Sequence, residues 1–369
     1  MANVIRQRAV TSATSTFVDG DTDESRKIIS DRVLFYCTTY LTIVLTSVIS
    51  SLGVIANILN MIVYWKQGTK DNVNVTFMAL SLWDFGVCFL SVLASACFVL
   101  EIYFPSPNID YMSILYVYIA YARGLMYVLS TIVTVYLSIE RCVCIILPFR
   151  IKEIFPKSRV VLANVMFVFF GVAFIGPAWA TQGVQWEFNL RHNMTRLTLW
   201  LSVNRRDIDL FVDTFNGMVL PVVAQVLITV SAGFMIQGIT KSVKFRQPSA
   251  NIMKSKTTNY NEETVQATSA LQSLNKAMTS KDVKLTKVIV LLAFIFFFCN
   301  LPVFLVAFIR TMIPELDIGK GQYNLYIVLY AAVYQCVLIN STVSIFVYYN
   351  FSTRYRREFL TMFCRLLAP

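Results

Sequence analysis

The sequence predicts an all-α membrane protein, a bundle of seven transmembrane helices followed by a short amphipathic eighth, and three observations lead there. Hydrophobic residues make up 56% of the 369-residue chain and charged residues only 14%, well below the roughly 25% charge of a soluble domain. Apolar stretches near or above the roughly 20 residues that cross a bilayer recur at 33–65, 74–102, 113–147, 158–180, 209–240, 284–312 and 323–349. The segments between them alternate in charge.

That alternation sets the orientation. Segments 66–73, 149–159 and 241–287 and the tail after 349 together carry a net +13, against +11 for the whole chain. Loop 103–112 has no Lys or Arg, and arm 1–32 balances five basic against five acidic side chains. Basic loops stay cytosolic, so the arm is expected outside the plasma membrane and the tail 350–369 inside. Seven crossings of domain 33–349 demand the same. Basic charge beside spans meets anionic lipid, so the bilayer rather than nucleic acid is the expected partner. Arm 1–32 lacks the apolar core of a signal peptide, and the first span is expected to serve as its own signal. Segment 244–280 is polar and is expected to be a flexible loop. Asn193-Met194-Thr195 is a glycosylation sequon, and Cys364 in the tail is a candidate lipidation site.

Polar residues inside the spans are the candidate functional residues, because burying them in hydrocarbon needs a partner or a task. The first span places Gly53 four residues before Asn57, a small residue for close helix approach beside an amide able to bridge helices. The second holds one interior acid, Asp84, in Leu80-Ser81-Leu82-Trp83-Asp84. The third carries Arg123, Ser130, Glu140 and Arg141. At 100° per residue Arg123 and Arg141 lie five turns apart on one face, with Ser130 within about 20° of it, so that face is expected to look into the bundle. The fourth span has Phe167 and Pro177, and the fifth has Asp213, Pro221 and Thr229. The sixth reads Phe296-Phe297-Phe298-Cys299-Asn300-Leu301-Pro302, where Pro302 removes a backbone bond. The seventh has Tyr330, Tyr334, Asn340-Ser341-Thr342-Val343-Ser344-Ile345-Phe346-Val347-Tyr348. Residues 349–359 then alternate aromatic and basic side chains as an interfacial helix requires. Counted from the span ends, Ser130, Asp84 and Asn340 lie about 16, 15 and 14 Å deep, which predicts one polar cluster with Asn57 and Ser344 nearby.

These motifs, in this order, resemble the rhodopsin-like (class A) G-protein-coupled receptors from Gly53 to Phe359, most closely those of invertebrate, molluscan-type peptide or chemosensory receptors. Glu140-Arg141-Cys142 resembles the family's acid-Arg-aromatic box, with Cys142 a departure. Asn300 stands where the family has a Trp, Ser344-Ile345 where it has Asn-Pro, and Tyr355 where the eighth helix has a Phe. The family's disulfide from the third helix to the loop after the fourth is absent, because Tyr116 holds the helix position and 181–208 contain no Cys. The resemblance implies a switch of Glu140, Arg141, Asp282, Pro302 and Tyr348, with Asp282 pinning Arg141 in the resting state. It implies a sodium ion at Asp84 among Asn57, Ser130, Asn340 and Ser344. It implies coupling to a heterotrimeric G protein, and to receptor kinase and arrestin.

An extracellular ligand is expected near Arg123, about 27 Å above Arg141. A guanidinium there suits an acidic or zwitterionic ligand, with Asp213, Tyr330 and Tyr334 as further lining. The alternative is that Arg123 and Asp213 pair with each other. A receptor-like protein that no longer signals stays open, since Cys142, Asn300 and Ile345 depart at switch positions. A transporter fits less well, because no internal repeat is present. A retinal protein needs a Lys in the seventh span, which has none. No enzyme is expected from a chain with one His and no buried nucleophile–base pair.

Overall fold

The computed structural model describes residues 28–68, 71–147, 150–189, 194–252, 280–313, 315–316 and 320–367. Among the described residues seven helices are long and apolar enough to cross a membrane, which makes this a multi-pass, mainly α-helical membrane protein. They are α1 (Asp31–Gln67), α2 (Asn72–Tyr103), α3 (Tyr111–Ile146), α4 (Lys157–Ala180), α5 (from Arg205–Thr214 through Leu220–Ile252), α6 (Ser280–Met312) and α7 (Tyr323–Phe351). A further helix, α8 (Thr353–Leu367), follows α7.

Local chemistry places the ends. The Ser30 hydroxyl accepts from Val33 N at 3.4 Å and Asp31 sits in the first turn of α1, both favourable at a helix N-terminus. Gly68 ends α1 with φ 82°, a conformation costly for any residue with a Cβ. Three helices open into π-helical segments, Thr39–Leu45 in α1, Leu115–Ala120 in α3 and Phe215–Val219 in α5. All three lie toward the Arg123 end of the bundle. In α1 the widened turn is supported from α7, where Gln335 Nε2 donates to Leu41 O at 3.2 Å and to Thr46 Oγ1 at 3.0 Å.

Helix α3 is the centre of the assembly and packs on α2, α4, α5 and α6, while α1 packs on α2 and α7 and α8 packs on α1 and α7. The largest core lies toward the Arg141 end and includes Tyr64, Phe77, Leu137, Ile228, Met235, Ile289, Phe296, Tyr348 and Tyr355. A second joins Leu125, Val128 and Leu129 of α3 to Ile175 of α4. Large apolar side chains such as Phe169, Phe298 and Phe346 point outward, as hydrocarbon-facing residues do.

Two expectations need correction. Residues 181–208 are not simply a loop. Strands β1 (Gln182–Asn189) and β2 (Met194–Leu201) pair antiparallel with Trp186 opposite Leu197. Aromatic and β-branched residues in that stretch favour strand, a signal hidden by its mixed charge. The hairpin is docked, with Leu197 N donating to Asn108 O at 2.8 Å and Gln182 Nε2 to Val117 O at 3.0 Å. Helix α5 also runs on to Ile252, past the expected end of the span, so 244–252 of the expected loop are helical. Apolarity bounds the length inside a bilayer, not the helix itself. Residues 253–279 of the expected loop and 1–27 of the arm lie outside the described residues.

Candidate functional site

At the Arg141 end, Arg141 Nη2 donates to Glu140 Oε1 at 2.6 Å, with the two side chains 9% and 1% exposed. Sequence neighbours point different ways on a helix, so this pair forms by the longer guanidinium reaching back. The satisfaction is incomplete. Glu140 Oε2 and Arg141 Nε are buried without a hydrogen-bond partner among the described residues. A buried pair with spare donor and acceptor capacity is held where it is yet able to take a new partner. The Asp282 side chain lies outside the described residues. Pro302 sits inside α6, and Tyr348 is fully buried among Tyr64, Phe77 and Tyr355 with its hydroxyl unpaired among the described residues.

Midway along α3, Ser130 Oγ donates to Asp84 Oδ1 at 2.7 Å. Asp84, Thr134, Ser138, Asn340 and Ser344 line a cavity of about 20 Å³, room for one water or one small bare ion. One carboxylate among hydroxyl and amide oxygens suits a hard cation, so the residues fit sodium chemically. The remaining predicted member, Asn57, belongs to an adjoining hydrogen-bonded network that also takes in Ser344. Asn57 Nδ2 donates to Ser341 O at 2.8 Å and to Gly53 O at 3.0 Å. Ser344 Oγ accepts from Asn60 Nδ2 at 3.2 Å, and Asn60 Oδ1 accepts from Tyr355 Oη at 2.6 Å. Burial pushes the Tyr355 phenol above its ordinary pKa, which keeps it a donor. Asn60 was not among the expected residues. The signal was Ser344, a short hydroxyl where the related pattern has an amide; the amide is supplied across the interface by α1.

At the other end, Arg123 is half-buried and its guanidinium lies 4.3 Å over the Tyr334 ring. Among the described residues it makes no hydrogen bond and no ion pair; the Asp213 side chain lies outside them. Tyr334 Oη is 2.7 Å from Ser91 Oγ. One turn below Arg123, Tyr127 Oη donates to Asn300 Oδ1 at 2.5 Å, and Asn300 Nδ2 donates to Phe296 O at 2.9 Å. Asn300 therefore bridges α6 to α3 two residues before Pro302. The Tyr330 ring lies against Tyr326 with centroids 4.5 Å apart and planes tilted by 48°.

Farther along the same end, buried Arg205 ties three helices. It forms a two-pronged contact with Asp209, Nε to Oδ2 at 2.8 Å and Nη2 to Oδ1 at 2.7 Å. It donates to Thr181 Oγ1 at 3.1 Å, to Tyr116 Oη at 3.2 Å, and to Ala178 O and Tyr121 Oη. Tyr121 Oη donates in turn to Asp209 at 2.7 Å. All eight cysteines are free thiols, so this knot joins α3 to the start of α5 without a covalent bridge. Asn193 lies outside the described residues, and Cys364 is exposed on α8.

Helix α3 thus carries a buried acid–base pair at one end, a buried hydroxyl bonded to Asp84 at its middle, and at the other end Arg123, which has no ion pair among the described residues. No protein-family model matches the chain, and no curated protein matches it either, so the functional reading rests on this geometry and on the motifs that build it.

Proposed function

We propose that the protein is a plasma-membrane receptor of the rhodopsin-like type, with its N-terminus outside, that takes an acidic or zwitterionic ligand at Arg123 and activates a heterotrimeric G protein at Arg141. The observation that carries this reading is the buried, half-satisfied Glu140–Arg141 pair at the end of α3 flanked by basic loops. The mechanism is a two-state equilibrium in which the ligand binds one state more tightly and shifts the population. An anion at Arg123 sits one turn above Tyr127, whose bond to Asn300 holds α6 against α3. Loss or rearrangement of that bond frees α6 at Pro302 and opens the opposite end. Arg141 then leaves Glu140 for acceptors on the partner, using donors in a planar fork. Asp84, Ser130 and Asn340 would hold a sodium ion in the resting state, where it neutralises the Asp84 charge.

Guanine-nucleotide exchange in membranes holding the protein and G protein tests this. Arg141→Ala should bring exchange to the level of empty membranes while surface expression is retained. Unchanged exchange in that variant would remove the mechanism. Absence of exchange in both forms would favour a receptor-like protein that does not signal.

A further inference from the structure

The end of the N-terminal arm is tied to the start of α7. Ile28 N donates to Gln322 Oε1 at 3.2 Å, and Asn324 Nδ2 donates to Ile29 O at 2.9 Å and to Asp31 Oδ1 at 2.7 Å. Ahead of this anchor the sequence is segregated in charge. Asp19, Asp21, Asp23 and Glu24 fall in a stretch, 19–24, that holds no base, and Arg26 and Lys27 stand between that stretch and the anchor. Helix α7 also carries Tyr334, and Arg123 lies 4.3 Å over its ring. Arg123 is half-buried and has no hydrogen bond or ion pair among the described residues. A guanidinium laid flat on a ring engages its face and leaves its edge donors directed sideways, where they suit a carboxylate. Withdrawing a charge from water without a counter-charge is costly, so the site favours an anion.

The chain itself holds anions within reach. From Gln322 to Tyr334 the rise along α7 is about 18 Å. An extended chain advances about 3.3–3.6 Å per residue. The four to seven residues that separate Ile28 from Glu24, Asp23 and Asp21 therefore span about 13–25 Å, a range that contains the distance needed. A segment fixed at one end also needs no separate encounter, because a short tether presents it at an effective concentration of about 1 mM. We infer that the acidic run 19–24 of the arm is an intramolecular occupant of the Arg123 site, a tethered polyanion that an external anionic ligand has to displace. This shares with the proposed function only the reading of Arg123 as an anion site.

The test compares the full chain with a neutralised variant carrying Asp19→Asn, Asp21→Asn, Asp23→Asn and Glu24→Gln, each purified in nanodiscs of neutral lipid. The probe is a synthetic peptide of residues 17–25, acetylated and amidated, and binding is read as thermal stabilisation. A free copy that binds the open site at about 0.1 mM meets a tethered competitor at about 1 mM in the wild type. It should therefore bind the neutralised variant about tenfold more tightly. The same peptide with its four acids replaced by amides should stabilise neither form. With Arg123→Gln in both backgrounds the difference should vanish and the acidic peptide should lose its binding. Arg123→Lys, which keeps the charge, should retain part of both and show that the site is still folded. Equal affinity for wild type and neutralised variant, a difference that persists in Arg123→Gln, or no stabilisation of the neutralised variant at millimolar peptide would overturn the inference. Arg141→Ala should behave as the wild type does here, so failure of the inference appears in binding and failure of the receptor mechanism appears in nucleotide exchange.

Discussion

Tyr355 reaches from α8 into the interior of α1, and its hydroxyl ends on Asn60, which passes the contact to Ser344 of α7. Three helices thus meet at one amide. Interhelical hydrogen bonds in membrane proteins are worth about 0.6 kcal/mol each and up to about 1.7. Asn60→Leu removes both of these bonds and the longer one to Asn57 Oδ1 at 3.4 Å, and should cost about 1–3 kcal/mol, read as a lower melting temperature in detergent. Tyr355→Phe should cost less, and the two together should cost less than their sum, because both remove the same bond. Helical phase and depth were enough to read the pairing of Asp84 with Ser130 and the placing of Asn340 and Ser344 around one cavity, since those follow from rise and rotation per residue. Asn60 was not legible that way. Its role depends on which residue faces it across an interface. The same holds for Tyr127 and Asn300, whose bond needs the relative rotation of α3 and α6.

Among the elements, α1, α2 and α7 are held close by what Gly53 lacks. A Cβ there would collide with Cys88 Sγ and would meet Thr342 Oγ1 at 2.6 Å. Gly53→Ala should therefore cost about 1–3 kcal/mol by overpacking, measured by thermal unfolding, while the same change at Gly217, which has open space around its Cβ position, serves as the control. The glycine was legible from its spacing to Asn57. The tie at the opposite end was not, because Arg205 reads as an ordinary loop charge until Tyr116, Tyr121 and Asp209 are brought round it. Removing one partner of a buried ion pair strands the other, so Arg205→Ala should lower the melting temperature by the equivalent of about 3 kcal/mol or more. Dithiothreitol should leave the wild-type melting temperature unchanged, since no cysteine is bonded. A large drop with reductant would show that a disulfide, not the Arg205 knot, holds α3 to its neighbours.

For the whole molecule, the proposed orientation follows from where the charge lies. The four basic segments all adjoin the Arg141 end of the bundle, and β1, β2 and Arg123 lie at the other. Four Asn-x-Ser/Thr sequons test that assignment, because oligosaccharide is added only outside the cytosol to an accessible asparagine. Asn74 is buried in α2 and its amide donates to Gly68 O at 3.0 Å. Asn340 lines the cavity at Asp84. Asn350 ends α7 at the Arg141 end, its amide donating to Phe346 O at 2.9 Å. Asn193 alone belongs to the segment that links β1 to β2, at the proposed outer face. The full-length protein made in eukaryotic cells should therefore show one glycosidase-sensitive band shift, and Asn193→Gln should abolish it with surface expression retained. A shift that persists in Asn193→Gln and disappears in Asn350→Gln would invert the molecule. It would place Arg141 outside and Arg123 toward the cytosol, and both ends of the proposed relay would lose their partners.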